Sequence, residues 1–111
     1  MSILTLVTIQ RGASQTNRTS GTMIATDVSI QIDEKNPMLA MEYDKAHPSD
    51  VFDGYIDAYL PNPLLRGDAI FDLQNNDPIT GLPVYYQVVS RPEPFPDMHT
   101  ECVLHLYEGA A

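Results

Sequence analysis

The sequence predicts a mainly β protein: a small closed or nearly closed antiparallel β-barrel of about six strands, with long loops and at most one short helix. Nine prolines and six glycines among 111 residues divide the chain into short elements, which favours strands over helices. Apolar and polar residues alternate with a period of two in several stretches, and clusters of Pro, Gly, Asn and Asp separate these stretches. Short alternating strands joined by turns are typical of barrels.

The N-terminal half contains two predicted strands joined by a long polar loop. Residues 3–11 carry apolar side chains on both faces, so we expect neighbours on both sides of this strand. Residues 12–22, GASQTNRTSGT, lack any large apolar side chain, which is typical of a flexible loop. Residues 24–32 alternate clearly, and the predicted inward face consists of Ile24, Val28, Ile30 and Ile32.

The alternation stops at about residues 34–50, which we interpret as an irregular or short helical insertion between Pro37 and Pro48. Two roles remain open for it: a cover over an open end of the barrel, or a contact surface that uses its methionines. Residues 51–60 alternate again and are predicted as a strand that ends before Pro61. Within this strand, Gly54 marks a bulge or a close approach of two backbones.

Residues 66–107 predict a three-stranded antiparallel meander, around which the rest of the chain is arranged. Its strands cover about residues 68–73, 84–89 and 100–107. The first reversal uses Pro78 to fix φ and Gly81 to adopt a positive φ, whereas the proline-rich stretch RPEPFPD is unsuited to a central strand. In the last strand, Cys102, Leu104 and Leu106 are predicted to share one face. We expect a single domain over residues 1–111.

The charge excludes several classes of partner. Fifteen acidic and six basic residues give a formal net charge of -9, which opposes tight binding to a DNA duplex or to an anionic membrane surface. An acidic wall can nevertheless surround a passage for DNA, because it repels phosphates and prevents sticking. No signal peptide and no transmembrane stretch are expected from the residue pattern, so synthesis in a cytoplasm is expected.

Residues that could carry chemistry form no recognisable catalytic set, and we expect no enzyme, no cofactor and no metal site. The three histidines lie in different elements without a completing ligand pattern. Cys102 cannot form an internal disulfide and is expected to be an inert buried thiol. Paired carboxylates serve glycosidases and two-metal hydrolases, but here the acids occupy the polar phase of strands or turn positions: Asp53, Asp57, Asp68, Asp72 and Asp77. The Arg66-Gly67-Asp68 tripeptide is interpreted as a turn at the start of a strand and not as an adhesion motif.

Four segments carry a family resemblance: LRGDAI (65–70), DPITG (77–81), YQVV (86–89) and PFPDMHTECVL (94–104). Together they resemble the small head-completion proteins of tailed bacteriophages, the adaptor and stopper proteins of the head-tail junction. The resemblance covers roughly the C-terminal 45 residues. It implies a β-barrel that forms a ring beneath the portal, and the shortage of helix favours a stopper over a mainly helical adaptor.

The function implied is that of a structural protein in the neck of the virion, which joins the portal or adaptor to the tail and helps to retain packaged DNA. The implied partners are other copies of the chain in the ring, a portal or adaptor protein above, and a tail terminator or tail protein below. DNA would pass through without being bound tightly, and no membrane is involved. Synthesis would take place in the cytoplasm of the bacterial host.

Two sets of residues are candidates for contacts in such an assembly. The loop proposed to reach a neighbouring subunit or the channel comprises Ser14, Gln15, Thr16, Asn17, Arg18, Thr19 and Ser20. The proposed partner contact comprises Met38, Met41, Tyr43, Pro94, Phe95 and Pro96. The alternative function is a small monomeric β-barrel binding module whose ligand lies against a tyrosine-rich face formed by Tyr55, Tyr59 and Tyr85.

Overall fold

Antiparallel strands account for most of the regular structure of residues 2–14, 16–94 and 99–107, the part of the chain that the computed structural model describes. The strands are β1 (Ser2–Arg11), β2 (Thr22–Glu34), β3 (Val51–Ile56), β4 (Ala69–Asn76), β5 (Pro83–Val88), β6 (Glu93–Pro94) and β7 (Thr100–Tyr107). One helical turn, α1 (Pro37–Ala40), and one 3-10 turn, Pro48–Asp50, lie between β2 and β3. The bounds of β7 agree with the prediction.

Six of the strands close into an antiparallel barrel, which confirms the predicted fold class. The order around the barrel is β3-β2-β1-β4-β5-β7, and β7 pairs back onto β3. This closing seam runs from Val51 opposite His105 to Ile56 opposite Thr100. The short β6 pairs with β7 at Thr100 and Glu101. The predicted meander corresponds to β4, β5 and β7, which are adjacent in this order.

The barrel interior holds the main hydrophobic core, to which every long strand contributes. The predicted inward residues of β2 belong to it, as do Cys102, Leu104 and Leu106 of β7. The alternation in β2 is interrupted by two register shifts against β1, and Asp27 adopts a φ of 55° in this irregular part. Bulges of this kind strengthen the local twist that barrel closure needs.

Two smaller apolar clusters lie on the outer wall of the barrel. On β4, Ile70 points into the core, whereas Ala69 and Phe71 join Ala13 and Tyr85 in an outer cluster. The second outer cluster is formed by Ala40, Val51 and Val103. The insertion between β2 and β3 is therefore packed against the outer wall of β3 and β7 through Ala40 of α1.

The sequence prediction was wrong at two strand ends: β4 continues to Asn76 and does not end near residue 73, and the larger error concerns β3. Strand β3 ends at Ile56 and does not continue to residue 60. Ala58 and Leu60 still pack against the core, but they do so from a connection that bends across one end of the barrel. Their alternation with Asp57 and Tyr59 therefore reflects one buried side of this connection, and the period-two pattern does not distinguish it from a strand.

The barrel has two distinct ends, because each connection between antiparallel strands returns the chain to the opposite end. The α1 end carries the connections 35–50 and 77–82. The other end carries residues 12–21, residues 57–68 and the connection from β5 to β7. We call it the cavity end. Strand β3 spans the two, a distance of about 17 Å at the usual rise per residue.

Candidate functional site

A cavity of 810 Å³ opens at the cavity end of the barrel. Leu64 is buried in the main core beneath it, and Ala58 and Leu60 pack against the same core. The lining comprises Ala58, Tyr59, Leu60, Pro63, Leu64, Leu65, Arg66, Arg91, Pro92, His99 and Thr100. A concave apolar site of this size is large enough to enclose several side chains of a bound partner.

Two arginines contribute positive charge to this largely apolar lining. Arg66 and Arg91 are exposed, and neither forms an ion pair with another described residue. The other wall carries His99, whose Nε2 lies 3.1 Å from a carboxylate oxygen of Glu101 and whose ring stacks on Tyr55 at 4.8 Å. The two arginines are the only Asp, Glu, Lys or Arg residues in the described lining, and the exposed acids Asp57, Glu93 and Glu101 are next to lining residues in sequence.

An exposed apolar patch lies at the α1 end. Met38 is 81% exposed, Leu39 51% and Met41 44%, which is unusual for large apolar side chains in one short segment. We call these three residues the methionine patch. Tyr43, a predicted contact residue from the same segment, is 40% exposed and lies nearby in sequence.

The segment that carries the methionine patch is fixed to the barrel at several points. The Asn36 side chain accepts a hydrogen bond from the backbone N–H of Met38, which caps the first turn of α1. Ala40 is fully buried against the outer wall. A carboxylate oxygen of Asp44 lies 2.8 Å from Nε2 of His105, and this hydrogen bond lowers the pKa of Asp44. The exposed methionines are thus presented by an anchored segment.

The predicted partner-contact residues do not form one surface. Met38 lies in α1 and Met41 and Tyr43 follow it, whereas Pro94 pairs with Thr100 beside the cavity. The two groups belong to opposite ends of the barrel. Phe95 and Pro96 lie outside the described residues.

The predicted contact loop, residues 14–20, returns to the outer wall of β4 and β5. Arg18 donates through Nη1 to the carbonyl oxygen of Pro83 at 2.6 Å, and its guanidinium carbon lies 5.1 Å from the centre of the Phe71 ring. Ser14 and Asn17 exchange two backbone hydrogen bonds, and the Ser20 hydroxyl donates to the carbonyl oxygen of Asn17. Thr16 and Thr19 are exposed, and Gln15 lies outside the described residues.

The three tyrosines of the alternative function are dispersed. Tyr85 is buried between Phe71 and Tyr107, with ring centres 5.4 and 5.5 Å away. Tyr55 stacks on His99, and Tyr59 lines the cavity with 68% of its surface exposed. Tyr55 pairs with Glu101 and Tyr85 with Tyr107, so about 20 Å of β7 separates them. A ligand face made of all three is not present.

The Asp68 carboxylate is buried and has a structural role. It accepts hydrogen bonds from Nε and Nη2 of Arg11 at 2.9 and 3.0 Å and from the backbone N–H of Leu65 at 2.9 Å. The bond to Asp68 raises the pKa of Arg11. Because Asp68 points into the protein, the Arg66-Gly67-Asp68 tripeptide does not present its carboxylate to a receptor, and Gly67 has the turn conformation expected, with φ of 92°.

The other buried aspartates also serve the backbone. Asp72 accepts hydrogen bonds from the Thr5 hydroxyl at 2.6 Å, from the Asn75 amide at 2.9 Å and from two backbone N–H groups. Asp77 accepts one from the backbone N–H of Ile79 in the turn before β5. No group of three or more His, Cys, Asp or Glu side chains suited to a metal ion occurs among the described residues.

The single thiol is buried beneath the closing seam. Burial, and secondarily the negative charge of Asp53, raise the pKa of Cys102 to about 12. A thiol with such a pKa contains almost no thiolate at neutral pH and is a poor nucleophile. Cys102 therefore has the character of a core residue.

Sequence reasoning missed the cavity and the two arginines in its lining. Residues 61–66, PNPLLR, contained a clue to the cavity, because Pro61 and Pro63 indicate a connection and Leu64 and Leu65 place large apolar side chains in it. The sequence around Arg91, which lies in a different connection, gave no indication that this residue lines the same cavity.

No family model, curated protein or solved structure matches this chain. Within the described part of the chain, no helix has the length and apolar character needed to cross a membrane.

Proposed function

We propose that this chain is a structural protein of the neck of a tailed bacteriophage, where it forms a ring that joins the portal or adaptor to the tail and helps to retain packaged DNA. One observation carries the proposal beyond the resemblance: the barrel exposes apolar surface at both ends, in the methionine patch and in the cavity. Surfaces of this kind mark protein interaction sites. A subunit in a ring needs two of them.

The segments that carry the resemblance support this function in a second way. They supply the beginning of β4, the turn before β5, the end of β5, and β7 with the stretch before it. These are three adjacent strands of one barrel, and Arg66 and Thr100 of the same segments line the cavity. The resemblance therefore concerns one continuous half of the molecule.

The charge distribution is compatible with a passage for DNA. Of the six basic residues, Arg11 pairs with Asp68, Lys35 pairs with Asp53, and Arg18 covers Phe71. Few cations are left to hold phosphates, and the net charge of -9 repels them. The chain fits the lining of a conduit that DNA traverses without being bound tightly.

A binding module remains the second candidate, and the cavity is the observation that favours it. Its volume lies within the range of small-molecule sites, and Tyr59 and His99 offer polar groups at an apolar surface. A monomer that bound a small apolar ligand there would fit this function. The predicted ligand face would then be reduced to Tyr59 alone.

Solution mass distinguishes the two candidates. We expect light scattering over a range of concentrations to show ring-sized species of the chain, alone or after mixing with the portal and tail proteins from the same genome. Serum albumin at equal concentration controls for non-specific association. A chain that stays monomeric and binds none of these proteins would refute the neck function and direct attention to ligand screening at the cavity.

A further inference from the structure

The methionine patch and the cavity are both largely apolar. The patch is exposed on an anchored turn, whereas the cavity is a hollow in the surface. They lie at opposite ends of β3, so the patch of one molecule cannot enter its own cavity. Each would be covered only by another molecule.

The charges next to these surfaces also match. Three acidic side chains, Glu42, Asp44 and Asp50, lie between Met38 and the start of β3, together with a single lysine, Lys45. The cavity carries Arg66 and Arg91, neither of which forms an ion pair with another described residue. The acidic side chains beside the patch and the two arginines of the cavity lining attract one another.

The same charges oppose symmetric pairing of like surfaces. A twofold contact between two methionine patches would bring Glu42 and Asp44 of one copy close to those of the other. A twofold contact between two cavities would bring four arginines together. A head-to-tail contact avoids both arrangements, and contacts of this type produce a closed ring when the rotation between neighbours closes.

We infer that the methionine patch of one copy inserts into the cavity of the next, and that this is the contact between neighbouring subunits of the ring. The inference rests on the proposed function and specifies the partner of its two surfaces as a second copy of this chain. Met38, the most exposed residue of the patch, enters the apolar cavity above Leu64. Glu42 then lies near Arg66 and Arg91 of the neighbour.

Two variants with complementary defects test this contact. The patch variant is Met38→Glu, which retains an intact cavity. The cavity variant is Arg66→Glu combined with Arg91→Glu, which retains an intact patch. All three positions are exposed, so both variants should fold, and circular dichroism verifies this. Ile79→Glu is the matched control for the patch variant, because Ile79 is 71% exposed at the same end of the barrel but outside the proposed contact.

Each variant alone should self-associate more weakly. For Met38→Glu the apparent dissociation constant should rise about 10- to 100-fold, the range implied by the loss of one buried methionine, and the cavity variant should weaken self-association through charge repulsion with Glu42. An equimolar mixture of the two variants should form a particle of two chains and nothing larger. The intact patch of the cavity variant can bind the intact cavity of the patch variant, and the two surfaces that remain in this pair are both defective. Native mass spectrometry measures this, alone and on portal rings. Ile79→Glu should assemble like the unaltered chain.

Each other outcome overturns the inference in a distinguishable way. Variants that assemble like the unaltered chain show that the ring uses another contact, and the proposed function then stands. Variants that keep self-association but lose binding to the portal or tail protein show that a neighbouring protein occupies the cavity. An unaltered chain that binds neither itself nor these proteins refutes both the contact and the proposed function.

Discussion

Gly54→Ala tests the seam that closes the barrel. Gly54 of β3 lies opposite Cys102 of β7, which is 48 positions later in the sequence, and the Cys102 thiol donates a hydrogen bond to the Gly54 carbonyl oxygen. A Cβ atom at Gly54 would lie 2.9 Å from Sγ of Cys102 and 3.0 Å from Cδ1 of Leu104. Both neighbours are buried in the core, so neither can move away freely.

The size of the effect follows from these two contacts. Overpacking a core by one methyl group typically costs about 1 to 3 kcal/mol. Replacing glycine by alanine also lowers the conformational entropy of the unfolded chain, which raises the free energy of unfolding by about 0.4 to 1 kcal/mol. The free energy of unfolding should therefore fall by about 1 to 2 kcal/mol, and the melting temperature by roughly 5 to 12 °C for a domain of this size.

A double-mutant cycle with Cys102→Ala assigns this cost to the seam. Removing Sγ creates space for the new methyl group, so the double variant should be more stable than the sum of the single effects predicts, by about 1 kcal/mol. Urea denaturation followed by circular dichroism measures all four proteins. Gly81→Ala is the control, because Gly81 has a positive φ but no neighbour near its Cβ position, and its effect should add to that of Cys102→Ala.

A neutral Gly54→Ala, or additivity with Cys102→Ala to within about 0.5 kcal/mol, would refute the reasoning. Either result would mean that β3 and β7 do not face each other in this register. The barrel would then be open at the seam.

Three further predictions concern buried groups. Leu104→Ala should lower the free energy of unfolding by about 2 to 5 kcal/mol, because Leu104 is fully buried in the main core; a loss below about 1 kcal/mol in urea denaturation would mean that the faces of β7 are reversed. Asp68→Ala should lower the free energy of unfolding by about 2 to 4 kcal/mol. This is less than the loss expected for a fully buried ion pair, because Arg11 is partly exposed and can be hydrated again. A melting temperature unchanged by the substitution would contradict this. Cys102 should resist a thiol reagent at pH 8 until the protein unfolds, and labelling of the folded protein at the rate of a free cysteine would disprove its burial. Because the folded thiol has a higher pKa than the unfolded one, the contribution of Cys102 to stability should be complete below about pH 8.5 and should be lost as the pH rises towards 12.

The sequence by itself determined most of the strands. The strand β7 was predicted with its observed bounds and with Cys102, Leu104 and Leu106 on the core face. The positive φ of Gly81 was also predicted correctly, whereas Gly54 marks neither a bulge nor a close backbone approach, because its crowded neighbours are the side chains of Cys102 and Leu104. These features are local, because the direction of a side chain from a strand and the φ of a turn depend on the residue and its nearest neighbours.

Only the tertiary structure decided which surface covers each apolar face. The polar composition of residues 12–22 predicted a flexible loop, yet Arg18 reaches Phe71 and Pro83, more than 50 residues away in sequence. The cavity likewise combines residues 58–66 with Arg91, Pro92 and His99, which meet only because β3 and β7 pair. A period of two shows that a strand has a buried face, but the partner that buries it is selected by the packing of the whole barrel, since hydrophobic burial has no direction of its own.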